Sequence, residues 1–171
     1  MAVLKADILI IDGYNIIGAW EELKALKETD MGSARDQLIS IFSAYAPWCW
    51  ERIIIVFDGQ EFNWEHFDGV EVVFTGGNNS ADTLIENLAA GLSTGSQVEV
   101  ATSDYAEYRA ASALGAWCIS ASALRERLAE QQNSYRRRLA DNKKGRGIMI
   151  NDILNKSVLD NLQRLRHSED P

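Results

Sequence analysis

The sequence predicts an α/β domain built on a central, mainly parallel sheet. Short β-branched runs alternate with stretches of helical periodicity, the pattern of strand and crossover helix. The strand-like runs are mostly apolar throughout, as strands covered on both faces must be. The 171 residues, 46% hydrophobic and 25% charged with two prolines, suit one domain with a short appendage and exclude a disordered or collagen-like chain.

Along the chain, strands are expected at Asp7–Asp12, Arg52–Asp58, Val70–Thr75 and Val98–Thr102, with a less regular fifth at Ala116–Ile119. Between them, residues 33–46 place Ala34, Leu38, Ile41, Phe42 and Tyr45 on one helical face behind a candidate cap at Ser33. Residues 81–92 do the same with Ala81, Leu84, Ile85, Leu88 and Leu92, after the breaker cluster Gly76 to Ser80. Further helices are expected over 105–114, 122 to about 140, and 149–166. Trp48 and Trp50 flank Cys49 where helix gives way to strand, a place for core packing.

Charge divides the chain. Residues 1–130 hold 8 Lys/Arg against 20 Asp/Glu, whereas residues 131–171 hold 9 against 5. A domain over 1–130 and a basic helical extension over 131–171 are therefore expected. An acidic body repels a polyanion unless its carboxylates hold a cation, and a basic tail attracts one. No apolar run approaches the roughly 20 residues of a membrane span, and the N-terminus does not read as a secretory signal. The expected compartment is the cytoplasm, with no membrane partner. Two cysteines and two histidines make neither a disulfide framework nor a zinc set.

Three strands finish on or near an aspartate: Asp12, Asp58 and, after Thr102-Ser103, Asp104. The carboxyl ends of parallel strands line the ligand crevice of such sheets. Asp82 opens the following helix and Glu86, four residues on, shares its face. Singly, each acid has a structural role: Asp12 before Gly13 as a turn former, Asp82 as complement to a helix N-terminus, Asp104 as a helix cap. Convergence has no such explanation, because like charges about 5 Å apart repel by roughly 3 kcal/mol per pair at an effective dielectric near 20. Such a cluster implies a cation, and oxygen ligands without His or Cys fit Mg²⁺ or Mn²⁺. Phosphoryl transfer is the matching chemistry.

Ile11-Asp12-Gly13-Tyr14-Asn15-Ile16-Ile17-Gly18, Val56-Phe57-Asp58, Ser80-Ala81-Asp82-Thr83-Leu84-Ile85-Glu86 and Ala101-Thr102-Ser103-Asp104-Tyr105-Ala106-Glu107 together resemble the successive motifs of the YacP-like NYN-domain ribonucleases, over about residues 6–130. That family has a PIN-like, three-layer α/β/α fold, is bacterial and cytoplasmic, and includes a ribosome-dependent endonuclease of messenger RNA. The resemblance implies a divalent-metal-dependent RNA endonuclease with messenger RNA and the ribosome as partners. It implies catalytic roles for Asp12, Asn15, Asp82 and Asp104, metal ligation by Asp12, Asp82 and Asp104, and supporting positions for Asp58, Glu86 and Ser103. Where the family has Glu-Gln after the aspartate motif, this chain has Glu107-Tyr108-Arg109, and the segment Gly59 to Gly69 also departs. The chemistry carries over more safely than substrate preference or ribosome dependence.

Arg136, Arg137, Arg138, Lys143, Lys144 and Arg146 set six cations against one acid, Asp141, in eleven residues. Such a run is either a solvated helix end or a patch that binds RNA phosphates, and beside a nuclease site the second is expected. Phe62, Trp64 and Phe67 could stack on unpaired bases or fold back on the core. Asn78-Asn79-Ser80 fits either a phosphate-binding helix start or a plain cap. The competing function is a non-catalytic RNA- or ribosome-binding module with a degenerate site. A haloacid-dehalogenase-type phosphatase is disfavoured, since Tyr14 stands where a second aspartate would be needed.

Overall fold

The computed structural model describes residues 6–145, the side chains of residues 45–48 and 142–145 excepted. The helix expected over 149–166 lies outside the described residues. The elements are β1 (Ile8–Asp12), α1 (Gly13–Ala19), α2 (Glu21–Thr29), α3 (Met31–Cys49), β2 (Arg52–Phe57), β3 (Asn63–Phe67), β4 (Val70–Phe74), α4 (Ala81–Leu92), β5 (Val98–Ala101), α5 (Tyr105–Ala113), β6 (Trp117–Ile119) and α6 (Ala121–Gly145).

One sheet orders the strands β3-β4-β2-β1-β5-β6. All neighbours pair in parallel except the β3–β4 hairpin at one edge. The fold class is as expected, and the alternation of the central strands explains its three layers. Leu9, Ile11, Ile53 and Ile55 face one core with Ile16, Leu23, Leu38, Phe42 and Leu124, from the side of α1, α2, α3 and the start of α6. Ile8, Ile10, Ile54 and Val56 face the other with Ala81, Ile85, Ala89 and Ala111, from α4 and α5. Each central strand is thus apolar on both faces because each face is covered.

Three local structures differ from expectation. Residues 13–29 form two helices, α1 and α2, which the periodic pattern does not mark. The third helix starts two residues before Ser33, at Met31, because Asp30 is the better cap: its carboxylate accepts from Gly32 N at 2.9 Å and from the Ser33 hydroxyl at 2.5 Å. The segment after β2 is not a loop throughout. Asp68 and Gly69 both have positive φ, the two-residue turn that joins right-twisted strands, and this turn creates β3. Trp64 on β3 folds back onto the α4 side and donates to Glu71 at 2.9 Å, while Phe62 and Phe67 remain exposed.

The chain divides between Gln132 and Asn133, within α6, into two units. The described part of the second unit is the distal part of that helix. Among the described residues, no helix is long and apolar enough to cross a membrane.

Candidate metal centre

The sheet reverses direction of growth at β1. Later strands β2 and β4 lie on one side of it and β5 and β6 on the other. Such a switch point opens a crevice at the carboxyl ends of the strands, and it is there that the chain places its acids. Asp12 is the last residue of β1, and its carboxylate caps α1 by accepting from Asn15 N at 3.3 Å. Gly13 follows because nothing larger fits. A Cβ there would lie 2.8 Å from Phe57 Cζ and closer still to two other ring atoms, and Phe57 is fully buried. Gly13→Ala is therefore expected to destabilise the fold by about 1–3 kcal/mol, a drop of several degrees in thermal melting. An unchanged melting temperature would show that the Phe57 ring has room to move.

From the other side of the crevice, β5 leads through Thr102 and Ser103 to α5. Asp104 caps this helix, its Oδ1 accepting from Ala106 N at 2.8 Å and Glu107 N at 3.2 Å. The Thr102 hydroxyl accepts from Asp104 N at 3.0 Å, and the Asn15 side-chain oxygen accepts from Ser103 N at 2.7 Å. These bonds fasten the start of α5 to the end of β1. Ser103 in turn accepts from Ala121 N at 3.3 Å, at the start of α6.

α4 brings the third acid. Ser80 caps it by accepting from Thr83 N at 3.2 Å, and Asp58, just past β2, accepts from Ala81 N at 2.8 Å. The Asn78-Asn79-Ser80 stretch is thus a loop and cap. Asp82, one residue further, reaches the crevice.

Ligand oxygens of Asp12, Asp82 and Glu107 all lie within 4.8 Å of one another. Asp12 and Asp82 are brought together as expected. Asp104 is not in this group: its Oδ1 caps α5, and the third member is Glu107, one turn on. Glu86 is half-buried a turn beyond Asp82 and outside the group. Asp58 and Ser103 hold neighbouring backbone, and Asn15 joins the two halves of the crevice.

Glu107 sets the electrostatics. Among the described residues one other acid is buried, Glu99, which accepts from Trp50 Nε1 at 3.1 Å and from Arg127 at 2.6 Å. Glu107 is 3% exposed, and neither of its carboxyl oxygens has a hydrogen-bond partner. Burial pushes its pKa up to about 8; the Thr102 hydroxyl pulls it down in part, while the Asp12 carboxylate, by its charge and as a neighbour that a protonated Glu107 can bond, and the charge of Asp82 add to the rise. Asp12 is also raised, first by burial and then by Asp82 and Asp58, against the lowering effect of the Asn15 N–H and of Glu107. An orphaned, buried carboxyl beside two further carboxylates is costly as it stands. It fits a hard divalent cation, which takes oxygen ligands and favours their charged forms.

The basic run is described only in part. Arg136, Arg137 and Arg138 are exposed on α6; the Lys143 and Lys144 side chains and Arg146 lie outside the described residues.

Comparison with known proteins gives the family. The YacP-like NYN domain family matches residues 9–167, so the likeness continues past the last of the four motifs into the C-terminal segment. The Bacillus subtilis protein YacP is 43% identical over 138 residues, covering 77% of this chain and 78% of that protein. Two crystal structures of Rae1 (YacP) from Bacillus subtilis superpose on the chain. One, of a single-residue variant, gives a TM-score of 0.71 at 40% identity over 81% of this chain and 84% of that one. The other gives 0.69 at 36% identity over 94% and 95%. A carboxylate crevice at the switch point of a parallel sheet, four motifs in order and this degree of identity lead to one conclusion: the chain belongs to the YacP-like NYN domain family, a nuclease-type fold.

Proposed function

We propose that the protein is a divalent-metal-dependent RNA endonuclease whose Asp12, Asp82 and Glu107 hold Mg²⁺ or Mn²⁺. The observation that carries this reading is Glu107, a buried carboxyl with both oxygens lacking a hydrogen bond and one of them within 4.8 Å of oxygens of Asp12 and Asp82. A cation in that place supplies charge stabilisation at a scissile phosphate and activates a water for attack. A degenerate binding module has no use for such a group, which costs stability unless something binds it.

The other residues position. Asp104 fixes the first turn of α5 and with it the direction from which Glu107 enters. Asp58 holds the first turn of α4, which carries Asp82. Partners behind the ligands commonly tune affinity in this way. Asn15 has its oxygen committed to Ser103 N, so its amide nitrogen is the free donor, and we assign it to a phosphate oxygen. The substrate is single-stranded messenger RNA and the ribosome the place of action, on the resemblance to the ribosome-dependent branch of the family. Cytoplasmic location follows from that substrate. The nuclease domain is assigned to residues 1–130 and the basic extension to 131–171.

Incubation of labelled RNA, with and without ribosomes, in Mn²⁺ or Mg²⁺ against EDTA tests the assignment. Metal-dependent cuts are expected, and intact RNA under every condition would sink it. The basic extension has its own test. Replacing Arg136, Arg137 and Arg138 with Gln is expected to weaken RNA or ribosome binding and to flatten its salt dependence by roughly 0.7 log units per lost phosphate contact on single strands. The single-turnover rate at saturating substrate should hold, since the carboxylates are untouched. An unchanged salt slope would make the run a solvated helix face.

A further inference from the structure

The first unit is strongly acidic, and most of its described arginines answer that excess. Arg52 pairs with Glu71, Arg125 with Glu22 and Arg127 with Glu99. Arg35, on α3, makes no ion pair among the described residues. It is nonetheless held in place: its Nη1 donates to the Tyr14 hydroxyl at 2.9 Å, and its guanidinium lies 5.6 Å from the centre of the Phe74 ring. Tyr14 is the residue between Gly13 and Asn15, and its ring packs on Phe57 at 5.0 Å. A fixed, partly buried cation with no carboxylate in ion-pair contact, its charge acting at longer range on Asp30, therefore stands one side chain away from the segment that carries Asp12 and Asn15.

It opens onto a cleft. Arg35, Asp58, Gln60, Asn63 and Phe74 line a cavity of about 580 Å³, within the usual range of about 300–1,000 Å³ for sites that hold small molecules or single ligand groups. Asp58 is shared with the metal centre, since its charge raises the pKa of Asp12 and its oxygen holds the first turn of α4. Asp58 thus borders the cleft and also holds the helix turn that carries Asp82. Its acids, Asp58 and Glu61, rule out a free anion as a tight occupant. They do not rule out a nucleotide of a strand already anchored at the neighbouring cation.

We propose that this cleft receives a nucleotide adjoining the cleavage point, with Arg35 binding its phosphate. The proposal rests on the nuclease reading above and adds the direction in which the strand leaves the site. A guanidinium is the group for the task, because its planar fork matches two phosphate oxygens and it needs no proton change. Tyr14 and Phe74 freeze it before the substrate arrives, so less side-chain freedom is lost on binding. Gln60, whose side-chain amide offers both a donor and an acceptor, is placed to meet the base or ribose of the same nucleotide.

The test uses a short unstructured RNA and three proteins: parent, Arg35→Gln and Arg35→Lys. Arg35→Gln is expected to raise KM by roughly tenfold to a hundredfold, as for loss of a hydrogen bond to a charged group, with kcat at saturation changed far less. Its binding to the RNA should lose roughly 0.7 log units of salt slope. Arg35→Lys should recover the slope but only part of the affinity, since the charge returns without the fork. The Mn²⁺-induced rise in melting temperature should match that of the parent in both variants, which also reports that they fold. An unchanged KM and salt slope in a folded Arg35→Gln protein would overturn the proposal, as would an equal loss in kcat, which would place Arg35 at the reacting phosphate. If the parent itself fails to cut RNA, the nuclease reading falls, and the binding arm alone then decides the role of Arg35.

Discussion

Asp82→Asn and Glu107→Gln are each expected to lower RNA cleavage by more than about a hundredfold at saturating substrate, while leaving the fold intact. The loss should exceed the tenfold to hundredfold typical of residues that merely support ligands, since both groups would contact the cation. Neither change should destabilise the metal-free protein. Asp82→Asn deletes a charge that repels the Asp12 carboxylate, so stability holds or rises. Glu107→Gln replaces a carboxyl that burial already keeps largely protonated at neutral pH, with a pKa of about 8, by a neutral group of nearly the same shape. Asp104→Asn should behave differently. Asparagine caps a helix about as well as aspartate, so α5 keeps its start and most of the activity remains. Cleavage and melting curves of the three variants decide the matter. A Glu107→Gln protein that cuts at the parent rate would end the case for Glu107 as a ligand, and an inactive Asp104→Asn protein would return Asp104 to the site.

The fold was legible in the sequence because the central strands are apolar on both faces, a pattern that admits little except a sheet covered by helices. Ile8 to Ile11 and Ile53 to Phe57 read this way, and α4 announced itself through Leu84, Ile85 and Leu88 after a breaker cluster. Short elements were not legible. α1 and α2 span seven and nine residues, too few turns for a period to stand out. The β3–β4 hairpin carried a readable signal in Asp68-Gly69, the dipeptide suited to two consecutive positive φ angles. The aromatic residues around it, Phe62, Trp64 and Phe67, fit a base-stacking loop or a fold back onto the core, and neither reading requires a strand.

The site was legible to one residue. Strand ends pointed to Asp12, and the helix after the glycine-asparagine loop pointed to Asp82. The family resemblance assigns the third position to Asp104, which follows a strand as Asp12 and Asp58 do. In the structure the acid grouped with Asp12 and Asp82 is Glu107. Asp104 Oδ1 takes two N–H groups of α5, from Ala106 and Glu107, whereas Asp12 makes one longer capping bond, from Asn15 N at 3.3 Å. Glu107 lies on the same face as Ala111, both buried. A charged residue at the inward position of a small-residue helix was the available sign, and only burial without a partner gave it meaning.

In the absence of divalent metal, the protein is expected to lose stability as pH rises from about 5 to about 8, and Mn²⁺ is expected to oppose that loss. The carboxyl of Glu107 has a pKa of about 8 in the folded chain against 4.5 as a free side chain, and Asp12 is raised in the same direction. Between those values the folded state holds more protons than the unfolded one, so the free energy of unfolding falls with pH. The favourable contribution is complete below about pH 4.5 and gone above about pH 8. Every tenfold difference in proton affinity between the folded and unfolded chain corresponds to about 1.4 kcal/mol, so the full change is a few kcal/mol, large against the stability of one domain. A cation binds the deprotonated carboxylates, releases the proton and stabilises more strongly as pH rises; at about 100 times its dissociation constant it adds about 2.7 kcal/mol. Melting temperatures at several pH values, with EDTA and with Mn²⁺, should therefore diverge towards alkaline pH in the parent. In Glu107→Gln, where no proton is left to exchange at that position, the EDTA curve should flatten across the same window and the Mn²⁺ increment should shrink. Parallel curves in the parent, or an undiminished increment in the variant, would mean that the cation binds somewhere other than the orphaned carboxyl.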